Sequence, residues 1–328
     1  MTEATGHPAP SRTGHADLAG RVAVVTGAGA GLGRAEALAL AAAGADLVIN
    51  DISPDAGAVV DELVELGVKA VLVAGDIGES SIATELVRTA VDTFGRLDIV
   101  VNNAGVLRDR MLFSLSDEEW DLVVRVHLRG HFLLSRNAAA YWRDTAKAGG
   151  GPGYGRLINT ASEAWLFGSP GQANYAAAKA GIAALTISAA RSLHRYGVRA
   201  NVICPRARTA MTAGVFGPPP DTTGPDGSGP DGSGQDGTAP DGIADPLSVN
   251  HVAPFVAFLA GPSADPINGQ VFIVHGGTVA LLAPPTVARR FTDAGTGWTT
   301  ETLTSSVGAY FADRDLDDVF ALTDSLSP

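Results

Sequence analysis

Tyr175 and Lys179 stand four residues apart in Asn174-Tyr-Ala-Ala-Ala-Lys179. On a helix that spacing puts a phenol and an ammonium on one face. A neighbouring cation favours phenolate, so Lys179 is expected to draw the tyrosine pKa from about 10 towards neutrality. A tyrosine so placed exchanges a proton with a substrate oxygen as a general acid/base. Tyr-x-x-x-Lys alone is common on helix surfaces, but two features accompany it here. Ser162 lies thirteen residues earlier, closing the apolar run Ile158-Asn-Thr-Ala-Ser162. Its hydroxyl is suited to hold the reacting oxygen. Far upstream, Thr26-Gly-Ala-Gly-Ala-Gly-Leu-Gly33 follows another apolar run and opens an alanine-rich helix.

Such a turn carries a phosphate-binding implication. Glycines 27, 31 and 33, with Leu32 between the last two, let backbone N–H groups approach a pyrophosphate, and the positive helix end favours its charge. The spacing differs from Gly-x-Gly-x-x-Gly, and a glycine turn with a purely structural role is an open alternative for this loop taken alone. Asp51, 24 residues after Gly27 and just past a second apolar run, sits where an acidic side chain binds the ribose hydroxyls of NAD. A 2′-phosphate there would face a carboxylate, so NAD is expected over NADP. No metal ligand set is expected.

These residues need a scaffold. Short apolar runs alternate with helical stretches: Val22–Thr26, Asp46–Asn50, Ala70–Ala74, Asp98–Asn102, Arg156–Asn159, Arg199–Ile203 and Val271–Val274. The pattern predicts an α/β fold of Rossmann type, a doubly wound parallel sheet of seven strands with helices on both faces. The strands lack polar/apolar alternation because both faces are buried. Residues 1–17 are polar and read as a disordered tail, 18–282 as the sheet domain, and 283–328 as an extension whose Trp298–Leu303 and Val307–Phe311 suggest packed helices. Within the domain, residues 217–242 repeat Pro-Asp-Gly motifs with almost nothing apolar and predict a flexible insertion.

Bulk properties bound the function. The net charge of −12 and a pI near 4.9 disfavour binding to nucleic acid or anionic membrane. Arg206 and Arg208 are candidates for a local basic site. The single Cys204, at the end of Ala200-Asn-Val-Ile-Cys204, excludes an internal disulfide framework and reads as a buried, inert thiol. No run reaches the roughly 20 apolar residues of a membrane span. A cytoplasmic protein is expected.

Taken together, Thr26-Gly-x-x-x-Gly-x-Gly33, Asn102-Asn-Ala-Gly105, Ser162, Tyr175-x-x-x-Lys179 and Asn268–Gly277 resemble the short-chain dehydrogenase/reductase family, in family order, over roughly 18–282. Arg125–Phe132, Asn103–Arg110, Gly171–Tyr175 and Pro205–Thr212 resemble a narrower branch. It is the (3R)-hydroxyacyl-CoA dehydrogenase part of multifunctional β-oxidation enzymes, a branch that includes 17β-hydroxysteroid dehydrogenases. The resemblance implies Ser162, Tyr175 and Lys179 as catalytic residues, Lys179 also touching the nicotinamide ribose. It implies Asp76 and Ile77 at the adenine, Asn103 at the ribose and Thr209 at the nicotinamide amide. Arg206 replaces a glycine usual in the family. His127 stands where members carry an asparagine in a proton relay, and reads either as the relay or as a satisfied buried histidine; His131 reads as structural. The expected activity is hydride transfer between NAD and a secondary alcohol, a 3-hydroxyacyl-CoA or hydroxysteroid. The alternatives are an NADPH-dependent 3-oxoacyl-carrier-protein reductase and a non-catalytic NAD sensor. Family members pair at an edge formed by the final strand, which implies a homo-oligomer, most simply a tetramer.

Overall fold

The apolar runs form strands because their β-branched side chains favour extended backbone and both faces find partners. In the computed structural model, residues 17–212, 245–293, 295, 297–315 and 319–321 are described. The insertion expected at 217–242 and the tail up to residue 16 lie outside them. One sheet runs β3-β2-β1-β4-β5-β6-β7-β8. Its strands are β1 (Val22–Thr26), β2 (Asp46–Asp51), β3 (Ala70–Ala74), β4 (Ile99–Asn102), β5 (Gly155–Thr160), β6 (Val198–Pro205), β7 (Val271–His275) and β8 (Thr278–Leu281). The first seven pair in parallel.

Successive residues of each strand serve opposite layers. Ala23, Val25, Leu47, Ile49, Ile99 and Val101 join one core with α1 (Gly31–Ala42), α2 (Gly57–Glu65) and α8 (Ala253–Ala260). Val22, Val24, Val48 and Val100 join the other, with α3 (Ser80–Phe94) and α5 (Gly130–Ala148). Also present are α4 (Asp117–Val124), a π-helical turn Arg125–Arg129 leading into α5, α6 (Ala164–Phe167) and α7 (Ala173–Leu193). Because β1 has β2 on one side and β4 on the other, the strand order reverses there. The carboxyl ends of β1 and β4 therefore open a crevice, the usual ligand position in such sheets.

Seven strands were expected and eight are present. β8 lies antiparallel on β7, pairing Val274 with Val279 and His275 with Thr278 across the two-residue turn Gly276–Gly277. Gly276 adopts φ +47°, a value that suits glycine in hairpin turns. Four residues, mostly exposed, carry too weak a pattern to announce a strand. The eighth strand also removes β7 from the sheet edge, where the sequence placed it.

The chain divides into two compact units between Leu281 and Leu282. In the second, Thr300–Leu303, Thr304–Gly308 and Ala309–Phe311 follow one another as helix, π-turn and helix. Phe291 meets Tyr310 edge-on at 5.4 Å, with Arg289 stacked 4.5 Å over Tyr310. None of its described residues is buried.

Candidate active site

Thr26 ends β1, and its hydroxyl accepts the Asn103 and Ala104 N–H groups at 3.0 and 3.1 Å, tying β1 to the end of β4. The glycine turn follows. Gly27 and Gly31 have φ +63° and +54°, which other residues rarely adopt. A Cβ on Gly27 would lie 2.8 Å from Ala104 Cα, and one on Gly33 would lie 2.2 Å from the Gly27 oxygen. Close approach thus requires glycine at 27 and 33, and the dihedral requires it at 27 and 31. The Asn103 amide donates to the Thr26 and Gly27 carbonyls at 3.1 and 3.3 Å. Ala30, the N-cap of α1, has no side-chain oxygen to cap the first turn. The N–H groups of that turn therefore suit a phosphate.

At the end of β2, Asp51 accepts the Gly29 N–H at 2.9 Å and the Ser53 N–H at 3.1 Å. A cavity of about 300 Å³ joins these parts: Gly27, Gly31, Leu32, Asp51 and Asn103 line one end, and His127, Tyr175, Lys179 and Thr209 are also on its wall. Glycine cradle, uncapped helix start and fixed carboxylate together fit a dinucleotide. Thr209 closes over Gly31, where a Cβ would come within 3.4 Å of its methyl group. Its N–H donates to Thr212 Oγ1 at 2.8 Å.

The chemistry-bearing residues come from β5 and α7. Asn174 lies in the first turn of α7: its amide donates to the Arg108 carbonyl at 3.0 Å and its oxygen accepts the Tyr175 N–H at 2.8 Å. Ser162, just past β5, accepts the Ala164 N–H at 3.2 Å, and its hydroxyl is near enough to the Tyr175 phenol to pull the phenol's pKa down. Lys179, fully buried, donates to the Thr160 carbonyl at 2.6 Å and lies 5.4 Å from the Tyr175 ring centroid. Burial lowers its pKa to about 7, against smaller raising effects of Cys204 and Glu36.

The expected effect of Lys179 on the phenol is not found. Burial pushes Tyr175 up to about 12, and the opposing pull comes from the Ser162 hydroxyl. The Lys179 amine donates to the Thr160 carbonyl and lies 5.4 Å from the ring centroid, and burial of the phenol decides: the residues by themselves keep it protonated.

His127 occupies the π-helical turn. Its Nε2 lies 3.0 Å from the Val106 nitrogen and 2.8 Å from the Val106 oxygen, and its ring meets Tyr175 edge-on at 5.2 Å. Nδ1 is buried with no partner among the described residues. Burial first, then Lys179, holds His127 well below its ordinary pKa. A Cβ on Gly105 would come 2.3 Å from the His127 Cε1.

Three expected positions, Asp76, Ile77 and Ser162, are not on the cavity wall. The Asp76 carboxylate accepts the Gly78 N–H at 2.8 Å and pairs with Arg125, while Ile77 packs against Gly130. Ser162 reaches the site through Tyr175. Sequence reasoning missed Ala104, Gly105, Thr160, Ala207 and Thr212, which line the cavity. Ala104 and Gly105 lie inside the Asn102–Gly105 motif, and Ala207 and Thr212 inside Pro205–Thr212, but small side chains carry no chemical signal that assigns them to a site. Of the candidate basic residues, Arg208 pairs with Asp245 at 3.3 Å and Arg206 with Glu163. Cys204 is buried, its thiol pushed up to about 12 by burial.

A family model described as short chain dehydrogenase matches residues 21–216. The chain belongs to the short-chain dehydrogenase family. Membership makes it an oxidoreductase acting on a CH–OH group with a nicotinamide cofactor, NAD or NADP. It is 58% identical over 331 residues to the hydroxyacyl-CoA dehydrogenase ChsB1 of Mycobacterium tuberculosis, covering 99% of this chain and 98% of that one. Mouse peroxisomal multifunctional enzyme type 2 is 38% identical over 273 residues, 80% of this chain and 32% of that larger protein. A crystal structure of a short chain dehydrogenase from Mycobacterium avium superposes with a TM-score of 0.75 at 40% identity, covering 90% of this chain and 95% of that one. Among the described residues no helix is long and apolar enough to cross a membrane.

Proposed function

We propose that this short-chain dehydrogenase uses NAD to oxidise the 3-hydroxyl of a 3-hydroxyacyl-CoA to a ketone. The observation that carries the chemistry is the placing of Tyr175 and Lys179 on the wall of the cavity that also contains the glycine turn. The substrate class rests on similarity to a protein named as a hydroxyacyl-CoA dehydrogenase. A bound nicotinamide dinucleotide supplies the hydride acceptor. Ser162 holds the substrate oxygen by a hydrogen bond, and Tyr175 takes the hydroxyl proton at its phenol oxygen. Lys179 fixes the floor of the site at Thr160 and, as the family resemblance implies, meets the nicotinamide ribose. His127 buttresses the Tyr175 ring.

Asp51 supports NAD over NADP, which argues against the NADPH-dependent reductase. A sensor would need none of Ser162, Tyr175 and Lys179. The cytoplasmic location and homo-oligomeric assembly belong to the same proposal. The test is NADH absorbance with 3-hydroxyacyl-CoAs, hydroxysteroids and simple alcohols, comparing NAD with NADP. Turnover is expected with NAD and 3-hydroxyacyl-CoAs; a preference for steroids, or for NADP, overturns the corresponding part.

Asp51→Ala is expected to erode the preference for NAD, since it removes a ribose partner and a repulsion against the 2′-phosphate. It also frees the Gly29 N–H, so affinity for both cofactors falls. Matched kcat/KM values measure the ratio, and an unchanged ratio places the carboxylate away from the ribose.

A further inference from the structure

Ser162 does not hold itself in place. It sits in the short stretch between β5 and α6, and the next residue, Glu163, is buried beside it. Glu163 forms a two-point ion pair with Arg206: Nε donates to Oε2, and Nη2 donates to Oε1 at 2.8 Å. Arg206 follows the last residue of β6, between Pro205 and Ala207, which line the cavity. Its own N–H donates to the Val274 carbonyl of β7 at 3.0 Å. Arg206 is thus seated on the sheet by its backbone and grips the Ser162 segment with its guanidinium. Its side chain is 16% exposed and that of Glu163 is 9%, so solvent screens the pair little. A planar, two-point contact constrains orientation as well as distance, which a lysine cannot do.

We propose that Arg206 and Glu163 are a positioning pair that holds the Ser162 hydroxyl against the Tyr175 phenol during the reaction. The proposal rests on the reading of Tyr175 as the acid/base, and goes beyond it by assigning work to two residues that touch neither substrate nor cofactor. The Ser162 hydroxyl is the one influence that lowers the Tyr175 pKa, opposed by burial and by Cys204 and Asp109. Lys179 and His127 face the phenol ring as well, and His275 neighbours the pair electrostatically. Neutralising the pair acts directly on His275 and, through Glu163, on Cys204, so the part of the Tyr175 shift that reports on Ser162 is the part that disappears on a Ser162→Ala background.

The test uses the full chain carrying Glu163→Gln with Arg206→Gln. Replacing both avoids a buried charge left alone. Relative to the parent, kcat is expected to fall roughly 10- to 10²-fold, as for a small misplacement of reacting groups. Cofactor affinity, read by tryptophan fluorescence, is expected to hold. The pH midpoint of alcohol oxidation should move upwards, and amide exchange at 161–164 should accelerate about tenfold or more. On a Ser162→Ala background the same pair of changes should cost nothing further, because the residue it positions is gone. Arg206→Lys keeps the charge with a single contact and is expected to fall between parent and double variant, which covers a double variant that fails to fold. Unchanged exchange and kcat, an unmoved pH midpoint, or losses that multiply with Ser162→Ala would each overturn the proposal. If Ser162→Ala alone retains full turnover, the reading of the site fails instead, while exchange at 161–164 still reports whether the clamp holds.

Discussion

Tyr175→Phe is expected to lower turnover by roughly 10²–10⁴-fold, the usual cost of a lost general acid/base. The substitution removes one oxygen and little else. The ring keeps its edge contact with His127 at 5.2 Å and its place over Lys179 at 5.4 Å. Within the protein the change takes the phenol oxygen away from the Ser162 hydroxyl, at a cost of no more than about 1 kcal/mol. Dinucleotide binding should persist, because the glycine turn, Asp51 and Asn103 are untouched. The same phenol sets the pH response of the parent. Alcohol oxidation needs the deprotonated form, and the protein alone holds the pKa near 12. Oxidation should therefore accelerate from about pH 6 to pH 9, and the reverse reduction should not. Steady-state NADH absorbance measures the loss, and a fluorescence titration shows binding intact. Near-full activity in Tyr175→Phe would remove this residue from the chemistry.

Glu36 carries the second large expectation. It lies on α1, fully buried, and neither carboxyl oxygen has a partner among the described residues. Burial raises its pKa from 4.5 to about 8, with Lys179 pulling modestly the other way. Between those values the folded protein binds more protons at this site than the unfolded chain. Its contribution to stability therefore falls as pH rises across that window, by up to about 1.4 kcal/mol per unit, and levels off above it. His127 and His131, whose pKa values burial depresses, act in the opposite sense below their ordinary value of 6.5. Lys179 also acts in the opposite sense, between about 7 and 10.5. The difference between parent and Glu36→Gln isolates the carboxyl. Glu36→Gln is expected to be near neutral at about pH 4.5 and to raise the melting temperature by several degrees above about pH 8. Parallel melting profiles for parent and variant would show that Glu36 does not titrate as a buried acid.

Neither the pKa of Tyr175 nor the burial of Glu36 is legible in the sequence, for a shared reason. Spacing along a helix says which side chains share a face, and Tyr175 and Lys179 do. It does not say how much water the fold removes, and that quantity dominates both titrations. Local geometry is readable where a residue type has few alternatives. The glycine turn is legible from Gly27, Gly31 and Gly33, and the structure gives two of them left-handed backbones and the third a contact no Cβ could survive. The seven parallel strands are legible because continuous apolar runs need two covered faces. β8 is not, since its pairing comes from a turn at Gly276–Gly277 and not from its own composition. Asp76 and Ile77 rest on resemblance alone, and Arg125 engages the carboxylate of Asp76 through a contact 49 residues distant in sequence. The role proposed for Arg206 also depends on such a distant partner.

Gly105 and His127 have a consequence for how this chain can change. A methyl group at 105 would overlap the imidazole, with 2.3 Å between Cβ and Cε1. A smaller side chain at 127 would relieve that overlap, whereas any residue with a Cβ at 105 creates it. The two positions are therefore epistatic and ordered. Exchange of the histidine can come first and leave a void that the fold tolerates at some cost. Exchange of the glycine can come only afterwards, so mutational paths that begin at 105 are closed.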